Sequence, residues 1–164
     1  NIMVAIISTL LARRGRVGAW GRAVHLCALM MITVTAIVYA TLIGPYEVRS
    51  GFALVTNPLQ HIVVPAACVG TAALAGPRGG ITWGTLVRAL LIPAAWIAYT
   101  LARGAFTHQY PYGFVNVWRI GYAQVAINIV AILVGGLLFV ALFAGIDWAI
   151  RQAGRTDTSR SEDE

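Results

Sequence analysis

The sequence predicts an all-α fold, a polytopic bundle of membrane-spanning helices, on three observations. Apolar runs of near-helical-span length recur between short breaks rich in glycine, proline and arginine. Only 11% of the 164 residues are charged and 59% are hydrophobic, whereas a soluble domain carries roughly 25% charged residues. The arginines sit in the breaks between runs and fall unevenly on alternate sides, as topology-setting charges do.

The elements follow in order. Residues 1–12 form an apolar segment closed by Arg13, Arg14 and Arg16. As a helix it reaches about 18 Å, short of a hydrocarbon core of roughly 30 Å. It is expected to be the second half of a longer helix in a chain that begins further upstream. Basic residues follow this run instead of preceding it, which is the wrong order for a secretory signal peptide. A full span is expected over 23–44, stopped by Gly44-Pro45, and a loop carrying Glu47 and Arg49 covers 45–56. The next span, 57–76, ends at Gly76-Pro77-Arg78-Gly79-Gly80. A fourth, 84–103, holds Pro93 as its expected kink site. A polar, aromatic loop leads to the last span, 122–146. The expectation is four full spans plus the partial one within residues 1–150, and a disordered, mixed-charge tail over 151–164.

All twelve basic residues are arginine, for a net charge of +6. They are scattered singly and not interleaved with aromatics in a stripe, so the footprint of a nucleic-acid binder is missing. Membrane lipids are the expected partners. With the first break cytoplasmic, Arg13, Arg14, Arg16, Arg22, Arg78, Arg88, Arg151, Arg155 and Arg160 lie inside, and Arg49, Arg103 and Arg119 outside. This bias predicts a multi-pass protein of the cell membrane with a cytoplasmic C-terminus. Cys27 and Cys68 lie apart in apolar runs. No metal-ligand spacing, phosphate loop or paired carboxylate occurs, and no metal or cofactor is expected.

The chemistry concentrates in Asn57-Pro-Leu-Gln-His61-Ile-Val-Val-Pro65. An imidazole is costly to bury in hydrocarbon, so His61 should face a partner, a cavity or water. Asn57 and His61 are four apart and share a helical face. Pro65 removes a backbone donor one turn beyond the ring. Either His61 packs by hydrogen-bonding a neighbouring helix, or it acts as a base near neutral pH. About four residues into its helix, it is expected at the depth of lipid ester groups. On the last span Gln124, Asn128, Ala131 and Gly135 form a stripe of amides and small residues suited to helix contact. Arg103 either snorkels to headgroups or turns inward as a clamp for a carboxylate. Asp147 and Arg151 read as a surface ion pair. His61, Arg103, His108, Tyr110, Tyr112 and Asn116 are expected to gather at one end of the bundle.

The pattern Asn57-x-x-x-His61-x-x-x-Pro65 resembles the androgen-induced and androgen-dependent TFPI-regulating protein family and its bacterial six-pass relatives. So do Pro93-Ala-Ala-Trp96-Ile-Ala-Tyr99-Thr-Leu-Ala-Arg103-Gly104, Tyr110-Pro111-Tyr112-Gly113-Phe114-Val115-Asn116-Val117 and Gly121-Tyr122. The resemblance covers most of residues 1–146 and implies six spans in the intact protein. It implies hydrolysis of fatty acid esters by an intramembrane threonine with a histidine base, which maps onto His61. The threonine would precede Asn1, so the chain from Asn1 onward is expected to be inactive by itself. Thr33, Thr35 and Thr41 do not match its motif. Asn57, Arg103, Tyr110, Tyr112 and Asn128 are the residues expected at the substrate. A non-catalytic scaffold and a small-solute transporter with Gln124, Asn128 and His61 along its path are the competing readings; the residues do not fix an oligomeric state.

Overall fold

The computed structural model describes the backbone of residues 1–162 and the side chains of residues 1–153. Helix α1 spans Ile2–Arg14, α2 Ala19–Val38, α3 Ala53–Pro58, α4 Val64–Ala75, α5 Trp83–Thr107 and α6 Val117–Glu162, with no strand among the described residues. The helix of α2 continues to Tyr46 through a π turn at Tyr39–Ile43, and a second π turn at Leu59–Val63 joins α3 to α4. Four of the resulting helices are long and apolar enough to cross a membrane: Ala19–Tyr46, Ala53–Ala75, Trp83–Thr107 and Val117–Ala153. The protein is an all-α membrane protein. Its outer faces carry Ile37, Leu54, Val63, Leu91, Ile127 and Leu138 exposed, as a surface that meets acyl chains in place of water must.

Helix α2 is the centre of the bundle and packs against α1, α4, α5 and α6. Ala23, Leu26 and Cys27 of α2 meet Ala89 of α5 and Val140 of α6 in one core, and Leu29 meets Ala72 and Phe143 in another. The small Ala23 and Ala89 allow the close backbone approach that helix packing in lipid favours. The core therefore occupies the arginine-rich end of the bundle, and the arginine-poor end is packed more loosely.

Several boundaries and faces differ from the sequence reading. Helix α3 begins at Ala53, four residues before position 57, because the turn at Gly51 (φ +56°) already reverses the chain. His61 is then eight residues inside its helix, roughly 12 Å from the end, where about four residues were expected. The inward face of α6 carries Val125, Gly136, Val140, Phe143 and Asp147, all buried. The amide-and-small-residue stripe of Gln124, Ala131 and Gly135 is turned out. Spacing alone does not separate adjacent stripes, and aliphatic packing against α2 wins over the amides. Asp147 is not a surface residue. Its side chain is 7% exposed and accepts from the Gly79 amide at 3.0 Å as well as from Arg151 at 3.3 Å, which ties α6 to the turn after α4. The helix also runs on to Glu162 where a disordered tail was expected from 151, since Ala149, Ile150, Gln152 and Ala153 offer no break. Residues 163–164 of that tail lie outside the described residues.

Gly121 breaks α6 near its start, with φ 77° and ψ 161°. Only glycine takes that conformation freely. It lets the segment 117–120 fold back over the end of the bundle before the long apolar helix begins.

Candidate functional site

Two π turns face each other at the arginine-poor end, and each comes just before a proline. In the first, the Gly44 amide reaches back five residues to the Tyr39 carbonyl, ahead of Pro45. In the second, the Val64 amide reaches Leu59, ahead of Pro65. Proline has no N–H, so the preceding turn loses a donor and the ladder widens. The ring of Tyr39 stacks on the ring of His61 across this junction, with centroids 3.8 Å apart and planes 13° from parallel.

The His61 ring is further fixed by its own helix. Its Nδ1 lies 3.0 Å from the Asn57 carbonyl oxygen. A carbonyl can only accept, so Nδ1 carries the hydrogen. In its neutral form such a ring presents Nε2 as a lone-pair acceptor, the tautomer a general base requires.

A carboxylate holds both supports of this ring. Glu47 accepts a 2.6 Å hydrogen bond from the Tyr39 hydroxyl and two of 3.0 Å from the Asn57 side-chain amide. Arg49 pairs with the same carboxylate at 3.4 Å, donates to the Gly44 carbonyl at 3.2 Å, and lies over the Tyr39 ring. The hydrogen bond from Tyr39, with those from Asn57 and the charge of Arg49, holds the Glu47 carboxyl below its ordinary 4.5 against a smaller desolvation effect. Sequence reasoning recorded Glu47 and Arg49 only as loop residues and passed over Tyr39. The available signal was a charged pair placed between two proline-terminated helix ends.

His61 opens onto an apolar cavity of about 350 Å³. Tyr39 and Thr35 of α2, Trp96 and Pro93 of α5, and Tyr112 and Phe114 of the last loop are among the residues that line it. Tyr112 stacks on Phe114 at 5.2 Å and leans on Trp96 at 6.3 Å. Met30, Leu90 and Gly136 line its far end. Among the described residues no group of histidines, cysteines and carboxylates could hold a metal ion.

The expected gathering of residues is split. His61 and Tyr112 reach the cavity wall; the other expected substrate contacts serve the scaffold. Asn57 spends its side chain on Glu47 and its carbonyl on His61. Arg103 is exposed and donates to the Gln109 carbonyl at 3.4 Å, so it is no inward clamp. Tyr110 lies across Gly104, where a Cβ would come within 2.2 Å of its ring. Asn128 donates to the Phe114 carbonyl at 2.9 Å and accepts from Gln124 at 3.0 Å, holding the loop that forms the cavity wall. His108 stacks on Trp118 at 4.2 Å, away from His61. Asn57, Arg103, Asn128 and His108 are thus held by a carboxylate, a carbonyl or a ring close by, and Tyr110 by its packing over the Gly104 backbone. Thr35, set aside on motif grounds, shares the cavity with His61.

No family model, no curated protein and no solved structure matches this chain.

Proposed function

We propose that the protein is a membrane-embedded hydrolase of lipid esters with His61 as general base. One observation carries the reading. A ring whose Nδ1 is tied to the Asn57 carbonyl, leaving Nε2 as the nitrogen free to accept a proton, borders a large apolar cavity. A hydroxyl is a weak nucleophile until a base takes its proton, and an imidazole can do so near neutral pH. The apolar cavity would accept the hydrophobic part of an ester and leave its carbonyl beside His61, where water completes the hydrolysis. The resemblance of the sequence to the androgen-induced family supports this chemistry, in which a threonine is the nucleophile. Arginine bias supports residence in the cell membrane with the C-terminus in the cytoplasm, so that His61 lies in the outer half of the bilayer. A bacterial source fits the same resemblance.

The test is release of fatty acid from lipid esters, medium-chain ones included, by the full-length protein reconstituted in vesicles. His61→Ala should lower turnover by at least a hundredfold, the usual contribution of a positioned base being about 10²–10⁴. Equal turnover in the folded variant defeats the reading. Thr35→Ala should leave turnover unchanged; its loss would move the nucleophile into α2.

A further inference from the structure

The cavity beside His61 has a closed end, and that end has the form of a ruler. On α2 the lining runs from Tyr39, beside His61, to Met30, nine residues deeper. At 1.5 Å per residue this is about 14 Å of depth. A volume of about 350 Å³ spread over that depth makes a narrow channel. A helix with its side chains is 10–12 Å across, so the space cannot take one. It fits a single extended hydrocarbon chain.

The floor comes from three helices. Met30 is 6% exposed and belongs to the packed core with Leu26, Cys27, Ala89 and Val140, so the volume cannot continue beneath it. Leu90 of α5 closes one side. On the other, Gly136 lies so near that an added Cβ would come within 3.1 Å of both Cγ and Sδ of Met30. Above the floor the walls are mostly aliphatic and aromatic, and the His61 ring with Tyr39 stacked on it stands at the other end, where a carbonyl or carboxyl head would be placed.

We propose that this cavity binds one saturated acyl chain, head toward His61, and that Met30 over Gly136 sets its maximum length. An extended chain advances roughly 1.2 Å per bond, the zigzag that also sets the reach of an extended peptide, so about eleven bonds fit. The preferred ligand class is thus a medium-chain acyl ester or acid. The assignment rests on the hydrolase reading for what happens to the head, but chain binding is measured without turnover.

Trp96 lines the cavity and reports on it. The protein in lipid nanodiscs is titrated with a fatty acid brominated beside its carboxyl, and the quenching that disappears in Trp96→Phe is followed. Unlabelled saturated acids of about eight to sixteen carbons then compete. Affinity should rise about fourfold per methylene, the value of burying one CH₂, and stop rising near eleven or twelve carbons. Met30→Ala should move the break to longer chains and Gly136→Leu to shorter ones, each by two or more carbons, in variants whose thermal unfolding shows they are folded. Absence of Trp96-dependent quenching overturns the proposal. So does a break that neither folded variant moves. A moving break with no His61-dependent hydrolysis would remove the catalytic reading and leave the chain site standing; His61-dependent hydrolysis with no break would do the reverse.

Discussion

Asn128→Ala separates a residue that touches ligand from one that holds the wall around it. Its amide nitrogen donates to the Phe114 carbonyl at 2.9 Å, and its oxygen accepts from Gln124. Phe114 and its neighbours Tyr112 and Val115 line the cavity. A neutral hydrogen bond contributes about 0.5–1.5 kcal/mol net, and interhelical ones in membranes average about 0.6. The Phe114 carbonyl left behind adds a desolvation cost, reduced because the residue is partly exposed and water can reach it. The sum is about 1–2 kcal/mol, or a fall of about 2–8 °C in Tm for a chain of this size. Gln124 is exposed and bonds only to Asn128 among the interactions resolved, so Gln124→Ala should cost under about 0.5 kcal/mol. Thermal unfolding in nanodiscs of both single variants and the double variant gives the two costs and their coupling. Acyl-chain affinity should fall in Asn128→Ala while the chain-length break stays in place. Full stability together with lost binding would refute this reasoning, since the amide would then be facing the ligand.

Three further outcomes follow from the geometry. Because Glu47 has a depressed carboxyl pKa, its contribution is present above the ordinary 4.5 and is lost as pH falls through the lower folded value; melts taken from neutral to acid pH should show this loss in the wild type and not in Glu47→Gln. Gly104→Ala puts a Cβ 2.2 Å from the Tyr110 ring, so the loop must move at a cost of about 1–3 kcal/mol, read as a lower Tm and faster proteolysis near Tyr110, whereas Gly135→Ala, with nothing within 4 Å, should be neutral. Asp147→Ala removes the buried carboxylate that accepts from the exposed Gly79 amide and, as the loss of a hydrogen bond to a charged group, should cost about 1–3 kcal/mol, with little effect from Arg151→Ala because that arginine is half exposed.

The fold class was legible because apolar length and sparse charge leave few alternatives, and the positions of Gly44-Pro45 and Gly76-Pro77 marked two of the breaks. His61 was legible as the exceptional residue of its span. Its environment was not. Glu47 lies ten residues before Asn57, a distance no helical periodicity connects, and the π turn that brings Tyr39 onto the ring shifts the register that a 3.6-residue period assumes. The inward stripe of α6 was misplaced by one residue, about 100° of rotation, because Gln124 and Asn128 were read as helix contacts. Their partners proved to be each other and a loop carbonyl. Arg103 and Tyr110 were drawn toward the site by their chemical type, while the loop beside them supplied nearer partners.

The most direct test of His61 as a base is the ¹⁵N NMR spectrum of its ring in the membrane-reconstituted protein at a pH where the ring is neutral. The account requires a protonated Nδ1, held by the Asn57 carbonyl, and an unprotonated Nε2. A proton on Nε2 with a bare Nδ1 would contradict it.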